Sequence, residues 1–312
     1  MSRLPGGHAY LNRLAATPLV AVALPPGPPV WCKLDFLNPS GSTKDRIARY
    51  ILEKAWREGC VGPGAHIVEA SSGSTSIAMA LACAQMGMRF TAVMPEGVSS
   101  ERVLMIRAYG GEIRLTPRSG GMAGALAATE QLASETGAFL PRQFSNPDNA
   151  QAHRTGTARE ILDQLPGGLV DAVVSGVGTG GTLVGLYQGF AEAGCTVRPV
   201  VARPVVLTEG GLGGVECCSF STRIPGVVDS LSKLFVPEAL PGLETIEVPD
   251  DEALAATREL IRLGFPVGSS SGLNYRAAQQ VAARRPEGAQ VVTVFPDRME
   301  RYFSTELFAP SR

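Results

Sequence analysis

Short β-branched runs alternate with helical patterns almost from one end of this chain to the other, and that alternation leaves few folds open. Strands are expected at Val30–Phe36, His66–Glu69, Phe90–Met94, Glu112–Leu115, Asp171–Ser175, Val197–Val201, Thr245–Val248 and Gln290–Phe295. Between them apolar residues repeat at helical spacing over Lys44–Glu58, Thr75–Met86, Ser99–Tyr109, Met122–Thr136, Ala150–Asp163, Gly181–Ala193, Asp250–Leu263 and Ser271–Ala283. Alternation of this kind builds α/β architecture, with open, mainly parallel twisted sheets flanked by helices. With 312 residues the chain can build two such sheets. The turn-rich run Ser145-Asn146-Pro147-Asp148-Asn149 is the natural break between them. Ligands of such sheets bind beyond the carboxyl ends of the strands, so a cleft between the two is the expected site.

Charge and cysteine content exclude several functions. The formal net charge is −1, which gives no reason to expect nucleic acid or an anionic membrane as a partner. The apolar stretch Leu19 to Leu24 is cut off by Pro25 and Pro26. It is too short for a signal-peptide core or a bilayer span, and a cytoplasmic enzyme is expected. The cysteines Cys32, Cys60, Cys83, Cys195, Cys217 and Cys218 form no C-x-x-C pair, and only His8, His66 and His153 could join them, so no metal site is expected. Cys83 lies on an apolar helix and reads as core. Cys217-Cys218 reads as two reduced thiols, with a redox or substrate role as the alternative.

Four segments could carry chemistry. In Asn38-Pro39-Ser40-Gly41-Ser42-Thr43-Lys44-Asp45-Arg46, the helical repeat of Ile47, Tyr50, Ile51 and Ala55 puts Lys44 in the first turn of a helix. Ser42 or Thr43 can cap that helix, and Asp45 suits its first turn. An ammonium at Lys44 faces the positive end of the helix dipole, which favours the neutral amine that Schiff-base chemistry requires. In Ser175-Gly176-Val177-Gly178-Thr179-Gly180-Gly181-Thr182, a glycine-rich turn joins a strand to a helix, and its amides form a phosphate cradle. Gly176, Gly178 and Gly181 also satisfy the dinucleotide fingerprint. That reading needs an acid at the end of the next strand, and Val197–Arg203 has none. Glu69-Ala70-Ser71-Ser72-Gly73-Ser74-Thr75 offers hydroxyls and helix-start amides, either to a small carboxylate or simply as a capped loop. Val267-Gly268-Ser269-Ser270-Ser271-Gly272 reads as another strand-to-helix junction with the same two readings.

Taken in order, these segments resemble the cysteine synthase and cystathionine β-synthase family, the fold-type-II pyridoxal-phosphate enzymes built like the tryptophan synthase β subunit. The likeness runs from Thr17-Pro18-Leu19-Val20 through the lysine and Ser-Gly segments, Met94-Pro95-Glu96 and Ser99-Ser100-Glu101-Arg102. It continues through Gln143-Phe144-Ser145-Asn146-Pro147, His153, Gly178–Thr182, Ser270–Gly272 and Glu300-Arg301-Tyr302.

The resemblance implies that Lys44 links to pyridoxal 5′-phosphate and then acts as the general base at the substrate α-carbon. It implies that Gly178, Thr179, Gly180, Gly181 and Thr182 hold the cofactor phosphate, and that Ser270 hydrogen-bonds the pyridine nitrogen. Ser71, Ser72, Gly73, Thr75 and Gln143 would bind the substrate carboxylate. Ser74 would face the cofactor's 3′-oxygen, where the family usually has asparagine, one bond longer. A hydroxyl at the ring nitrogen makes a weaker electron sink than a carboxylate would, which favours β-elimination to an aminoacrylate and addition of a nucleophile. Residues 41–147 would form a smaller mobile domain closing on the substrate, with 1–40 and 148–312 as the larger domain.

The expected reaction is β-replacement on an O-activated L-serine by sulfide or a thiol, giving L-cysteine or an analogue, in a homodimer acting on small molecules. The alternatives are serine with homocysteine, an amine nucleophile, net β-elimination, or an inactive binder of the same fold. Thr222–Asp229 differs from the corresponding cysteine synthase motif. Within it Arg223 could recognise an anionic substrate group or simply face solvent.

Overall fold

Burial along each strand sorts the β-segments into two separate sheets. The computed structural model describes residues 15–208, 211–212, 223–227 and 232–308. The chain begins with β1 (Leu19–Val22) and β2 (Val30–Lys33), then crosses to β3 (His66–Ala70), β4 (Arg89–Pro95) and β5 (Glu112–Thr116). It returns as β6 (Ala172–Ser175), β7 (Arg198–Val205), a two-residue pair β8 (Leu207–Thr208) and β9 (Gly211–Leu212), β10 (Glu244–Pro249) and β11 (Val291–Val294). A six-stranded sheet has the order β1-β2-β11-β6-β7-β10, parallel except at β1, and a three-stranded parallel sheet has the order β3-β4-β5.

Parallel strands need crossovers, and helices supply them. These are α1 (Lys44–Arg57), α2 (Ser74–Met86), α3 (Ser100–Ala108), α4 (Gly121–Thr136), α5 (Asp148–Ala152), α6 (Ala158–Gln164), α7 (Gly181–Glu192), α8 (Asp250–Arg262) and α9 (Ser269–Ala283). Both faces of each sheet are covered over most of their strands, as parallel sheets require, while the edge strand β5 is largely exposed. Ile47, Ile51, Ile67, Ile77 and Phe90 bury one face of the small sheet under α1 and α2, while Val68, Val93 and Ala125 bury the other under α4. In the large sheet, Val174, Val200, Leu273 and Phe295 pack toward α9, and Val173, Leu186, Phe190 and Val292 pack toward α7.

The expected elements recur with three corrections. Leu19–Val22, read only as an apolar stretch, is an edge strand paired antiparallel to β2. The strand expected to reach Phe36 stops at Lys33, because Asp35–Leu37 turns as a 3-10 helix whose Asp35 side chain is drawn to Arg46. The helix expected at 150–163 starts at Asp148 and contains a π-helical turn, His153–Thr157, between α5 and α6. Such turns insert one residue and re-aim the side chains they carry.

α7 lies directly on this interrupted helix. A Cβ at Gly181 would stand 2.0 Å from Asn149 Oδ1, and one at Gly185 would stand 2.2 Å from the Ala150 carbonyl. The missing side chains bring the start of α7 against Asn149 and His153. Gly185→Ala is therefore expected to destabilise the fold by about 1–3 kcal/mol through overpacking. Gly156→Ala, where nothing lies within 4 Å, should be neutral or stabilising by up to about 1 kcal/mol. Urea denaturation of the two variants checks this, and equal effects would contradict the close-approach argument.

Candidate active site

Lys44 is the first residue of α1, and a hydrogen-bonded frame holds that turn in place. Ser42 Oγ accepts the Lys44 amide at 3.1 Å and donates to Asp297 Oδ1 at 2.5 Å. Thr43 does not cap through its side chain but donates to Asp35 Oδ2 at 2.9 Å. Asp45 reaches back to the Ser40 hydroxyl at 2.6 Å, and burial pushes its carboxyl up to about 6. One turn into the helix Arg46 donates to Asp35 and to Glu160, each at 2.7 Å, and Glu160 also pairs with buried Lys33 at 2.8 Å. Burial alone would raise Asp35, but the Arg46 guanidinium holds it down at about 2. Arg301, wholly buried, donates to the carbonyls of Gly41 and Ser40.

Burial lowers the Lys44 pKa, and the carboxylates of Asp297 and Asp35 oppose the shift. The direction is that expected from the helix dipole, but desolvation is the larger cause.

Asp297 and His153, whose charges or burial bear on Lys44, connect it to the hydroxyl loop after β3 and to the glycine turn ahead of α7. Ser71 follows β3 directly, and its Oγ accepts the amides of Gly73 at 2.9 Å and Ser76 at 3.3 Å, leaving its hydrogen to donate. Gly73 has φ +148°, and a Cβ there would stand 2.3 Å from Arg102 Cδ, so only glycine fits. Arg102 also donates to the Ser72 carbonyl at 3.0 Å and lies 5.3 Å from the Tyr302 ring centroid. The Thr75 hydroxyl donates to Gln143 Oε1 at 2.6 Å. The Ser74 hydroxyl donates to Asp297 Oδ2 at 3.0 Å, where the Tyr302 hydroxyl also donates at 2.9 Å. Ser74 thus ties the small sheet's loop to the large sheet beside Lys44.

On the far wall, the amides of Gly178, Thr179, Gly180 and Thr182 have no acceptor among the described residues. Gly181 opens α7, whose N-terminus adds its dipole. Asn149 Nδ2 donates to Thr179 Oγ1 at 3.0 Å and to the Gln143 carbonyl at 2.8 Å, joining this turn to the Gln143 loop. His153 reaches Thr182 Oγ1 with Nε2 at 3.2 Å and Thr157 Oγ1 with Nδ1 at 2.9 Å. Ser270 lies in the first turn of α9, which begins at Ser269 and follows extended Gly268 and the isolated bridge of Val267 to Arg298 rather than a full strand. Asn274 Oδ1, one helical turn on, accepts the Gly176 amide at 2.7 Å, so the face carrying Ser270 is turned to the glycine loop. The Ser270 hydroxyl has no hydrogen-bond partner among the described residues.

Sequence reasoning missed Asp297, Asn149, Asn274 and the role of Glu69. Asp297 stands just after β11, at the carboxyl end of a parallel strand, and that position was the available signal. Arg223 donates to Glu306 Oε2 at 2.8 Å and to Asp251 Oδ1 at 2.7 Å, which engages it with surface carboxylates. Cys217 and Cys218 lie outside the described residues.

These donors suit pyridoxal phosphate: a desolvated lysine for its carbonyl, unspent amides at a helix start for its phosphate, and a free hydroxyl for its ring nitrogen. A family model described as pyridoxal-phosphate dependent enzyme matches residues 11–297. The cysteine synthase of Staphylococcus aureus is 39% identical over 286 residues, covering 90% of this chain and 89% of the relative. Among solved structures, O-ureido-L-serine synthase resembles the chain with TM-score 0.84 and 33% identity, covering 98% of this chain and 96% of that one. The O-acetylserine dependent cystathionine β-synthase from Helicobacter pylori does so with TM-score 0.83 and 32% identity, covering 99% of this chain and 100% of that one. The fold and the donor set define a fold-type-II pyridoxal-phosphate enzyme. Within that class the chain belongs to the cysteine synthase and cystathionine β-synthase family.

His153 gives the site a stability signature. Burial drives its pKa down to about 3, with Asp35 opposing and the charges of Arg46 and Lys44 adding to the shift. The unfolded chain takes up this proton near 6.5 while the folded one refuses it, so stability is full above pH 6.5 and falls below it, down to about pH 3. The slope from this group alone is about 1.4 kcal/mol per pH unit. In urea titrations between pH 7 and pH 5, His153→Gln should flatten that slope. An unchanged slope would show that His153 is not the group responsible.

Proposed function

We propose that this protein catalyses β-replacement on an O-activated L-serine, with sulfide or a thiol as nucleophile, to give L-cysteine or an analogue. The single observation that carries this reading is that a desolvated lysine is linked through Asp297 to a hydroxyl-rich loop suited to a carboxylate and through His153 to a helix N-terminus suited to a phosphate. The relatives named cysteine synthase and O-acetylserine dependent cystathionine β-synthase support it.

In this reading, the amides of Gly178, Thr179, Gly180 and Thr182, with Gly181 opening the helix between them, hold the cofactor phosphate, and Ser270 faces its ring nitrogen. When bound, the cofactor supplies the electron sink that weakens the Cα–H and Cβ–O bonds of an amino acid. The Ser71 hydroxyl, Ser72, Gly73, Thr75 and Gln143 bind the substrate carboxylate and fix which Cα bond faces Lys44. Neutral Lys44 Nζ takes the α-proton and returns it once the nucleophile has added at Cβ. Residues 41–147 close as a unit on the larger domain, and the Ser74–Asp297 and Arg102–Tyr302 contacts act as the latch that excludes water. A homodimer in the cytoplasm is the setting we infer from the family.

The test is a matrix of O-acetyl-, O-phospho- and unmodified L-serine against sulfide, homocysteine and small amines, with products identified by mass. The expected outcome is β-substituted alanine from at least one O-activated donor, with a sulfur nucleophile preferred. Pyruvate and ammonia as the main products with every nucleophile would replace this reading with net elimination. No turnover of any donor would overturn it.

A further inference from the structure

Glu69 is 1% exposed, at the end of β3 and two residues ahead of Ser71. Strand alternation turns it to the Ile67 face. Its Oε1 accepts the amide of Ala70 at 3.0 Å, and its Oε2 accepts the amide of Gln143 at 3.1 Å. The Arg142 amide also favours the ionised carboxylate. Arg142 has φ +54°, the left-handed conformation that a non-glycine residue adopts at a cost in backbone energy. That conformation aims successive amides at one anion, and here the anion is internal. The Arg142 guanidinium points elsewhere, to Glu130 on α4 at 2.9 Å. Its backbone, rather than that ion pair, answers Glu69.

This strained bend orients Gln143. With its amide on Glu69 and its carbonyl on Asn149, the Gln143 side chain donates to the Ala70 carbonyl at 2.7 Å and accepts from Thr75.

We propose that Glu69 is the positioning residue of the amino-acid carboxylate site: its buried carboxylate folds the Arg142–Gln143 backbone so that the Gln143 side chain and the Thr75 hydroxyl meet the substrate. This rests on the proposed reading only for the claim that a carboxylate binds at this loop. When ionised, Glu69 accepts every amide aimed at it. When protonated, one oxygen becomes a hydroxyl, which is a poorer acceptor, and an amide is released. Burial pushes its pKa up to about 8 against the pull of those amides. Arg142, and Glu130 paired with it, are the charged groups on that side. The site is therefore tightest above about pH 8 and loosens as the pH falls through that value.

The experiment measures binding of L-serine and L-serinamide to the holoenzyme by isothermal titration, in the wild type and in Glu69→Gln. At pH 8.5 the wild type should prefer L-serine by about tenfold or more, and E69Q should lose most of that preference. The difference between the two proteins should close toward pH 6.5, where protonated glutamate resembles glutamine. In turnover, E69Q should raise KM for the amino acid with little change in kcat. A wild type with no preference would overturn the carboxylate-site reading itself. A preference that E69Q keeps at pH 8.5 would overturn the role of Glu69 and leave the site reading standing. A difference that persists unchanged to pH 6.5 would overturn the ionisation argument. If E69Q does not fold, hydrogen exchange of the Gln143 amide in the wild type decides, with protection expected above pH 8 and lost below it. Uniform protection would refute the proposal.

Discussion

Arg46 donates to Asp35 and Glu160 at 2.7 Å each, and through them it ties α1 to the end of β2, to α6 and to Lys33. Two carboxylates and two cations share one low-dielectric pocket, so removing any one leaves an unpaired buried charge at a cost of about 3–5 kcal/mol. The rest of the site depends on this network. It fixes the pitch and register of α1 two residues after Lys44, so the lysine leaves the helix start toward the cleft. Two of these charges also face His153, which burial keeps neutral beside Thr182, with Arg46 assisting and Asp35 opposing. The positions of the lysine and of the glycine turn therefore share one electrostatic foundation.

A second layer of polar contacts crosses between the sheets. Asp297 takes hydroxyls from Ser42, Ser74 and Tyr302, and Asn149 bridges Gln143 to Thr179. Asn149 links a residue that we assign to the substrate with one assigned to the phosphate, and Asp297 links the loop after β3 with the turn that carries Lys44. Movement of the small sheet would be felt at Asp297, whose carboxylate also faces Lys44. In the proposed mechanism this couples closure over the substrate to the charge environment of the base. The serine at position 74 matters for that reason: its hydroxyl is spent on Asp297.

Much of this was legible from local pattern. Lys44 at a helix start, the glycine turn ahead of α7 and the hydroxyl loop after β3 each announce themselves within a few residues, because capping and turn chemistry are local. Gly181 and Gly185 are visible as glycines, but the reason for them, the Asn149 side chain and the Ala150 carbonyl of α5 pressed against α7, is not. The contacts that organise the site are long-range: Asp297 meets Ser74 across 223 positions, and Gln143 meets Glu69 across 74. No periodicity encodes such pairs. A π-helical turn hides in a normal helical repeat, and the 3-10 turn at Asp35–Leu37 replaces an apparent strand because Asp35 answers Arg46. Nothing local in the sequence marks Glu69 and Asp35 as buried acids, since burial of a charge becomes sensible only once its partners are in place.

We assign the cofactor linkage to Lys44, which stands on the Arg46 network and is joined through Asp297 and His153 to the two segments that we assign to the substrate and the phosphate. Borohydride reduction of the purified holoenzyme, followed by peptide mapping, tests this directly. A single reduced pyridoxyl adduct on Lys44 is the expected result. An adduct on any other lysine, or none in protein that retains its visible absorbance, would contradict it.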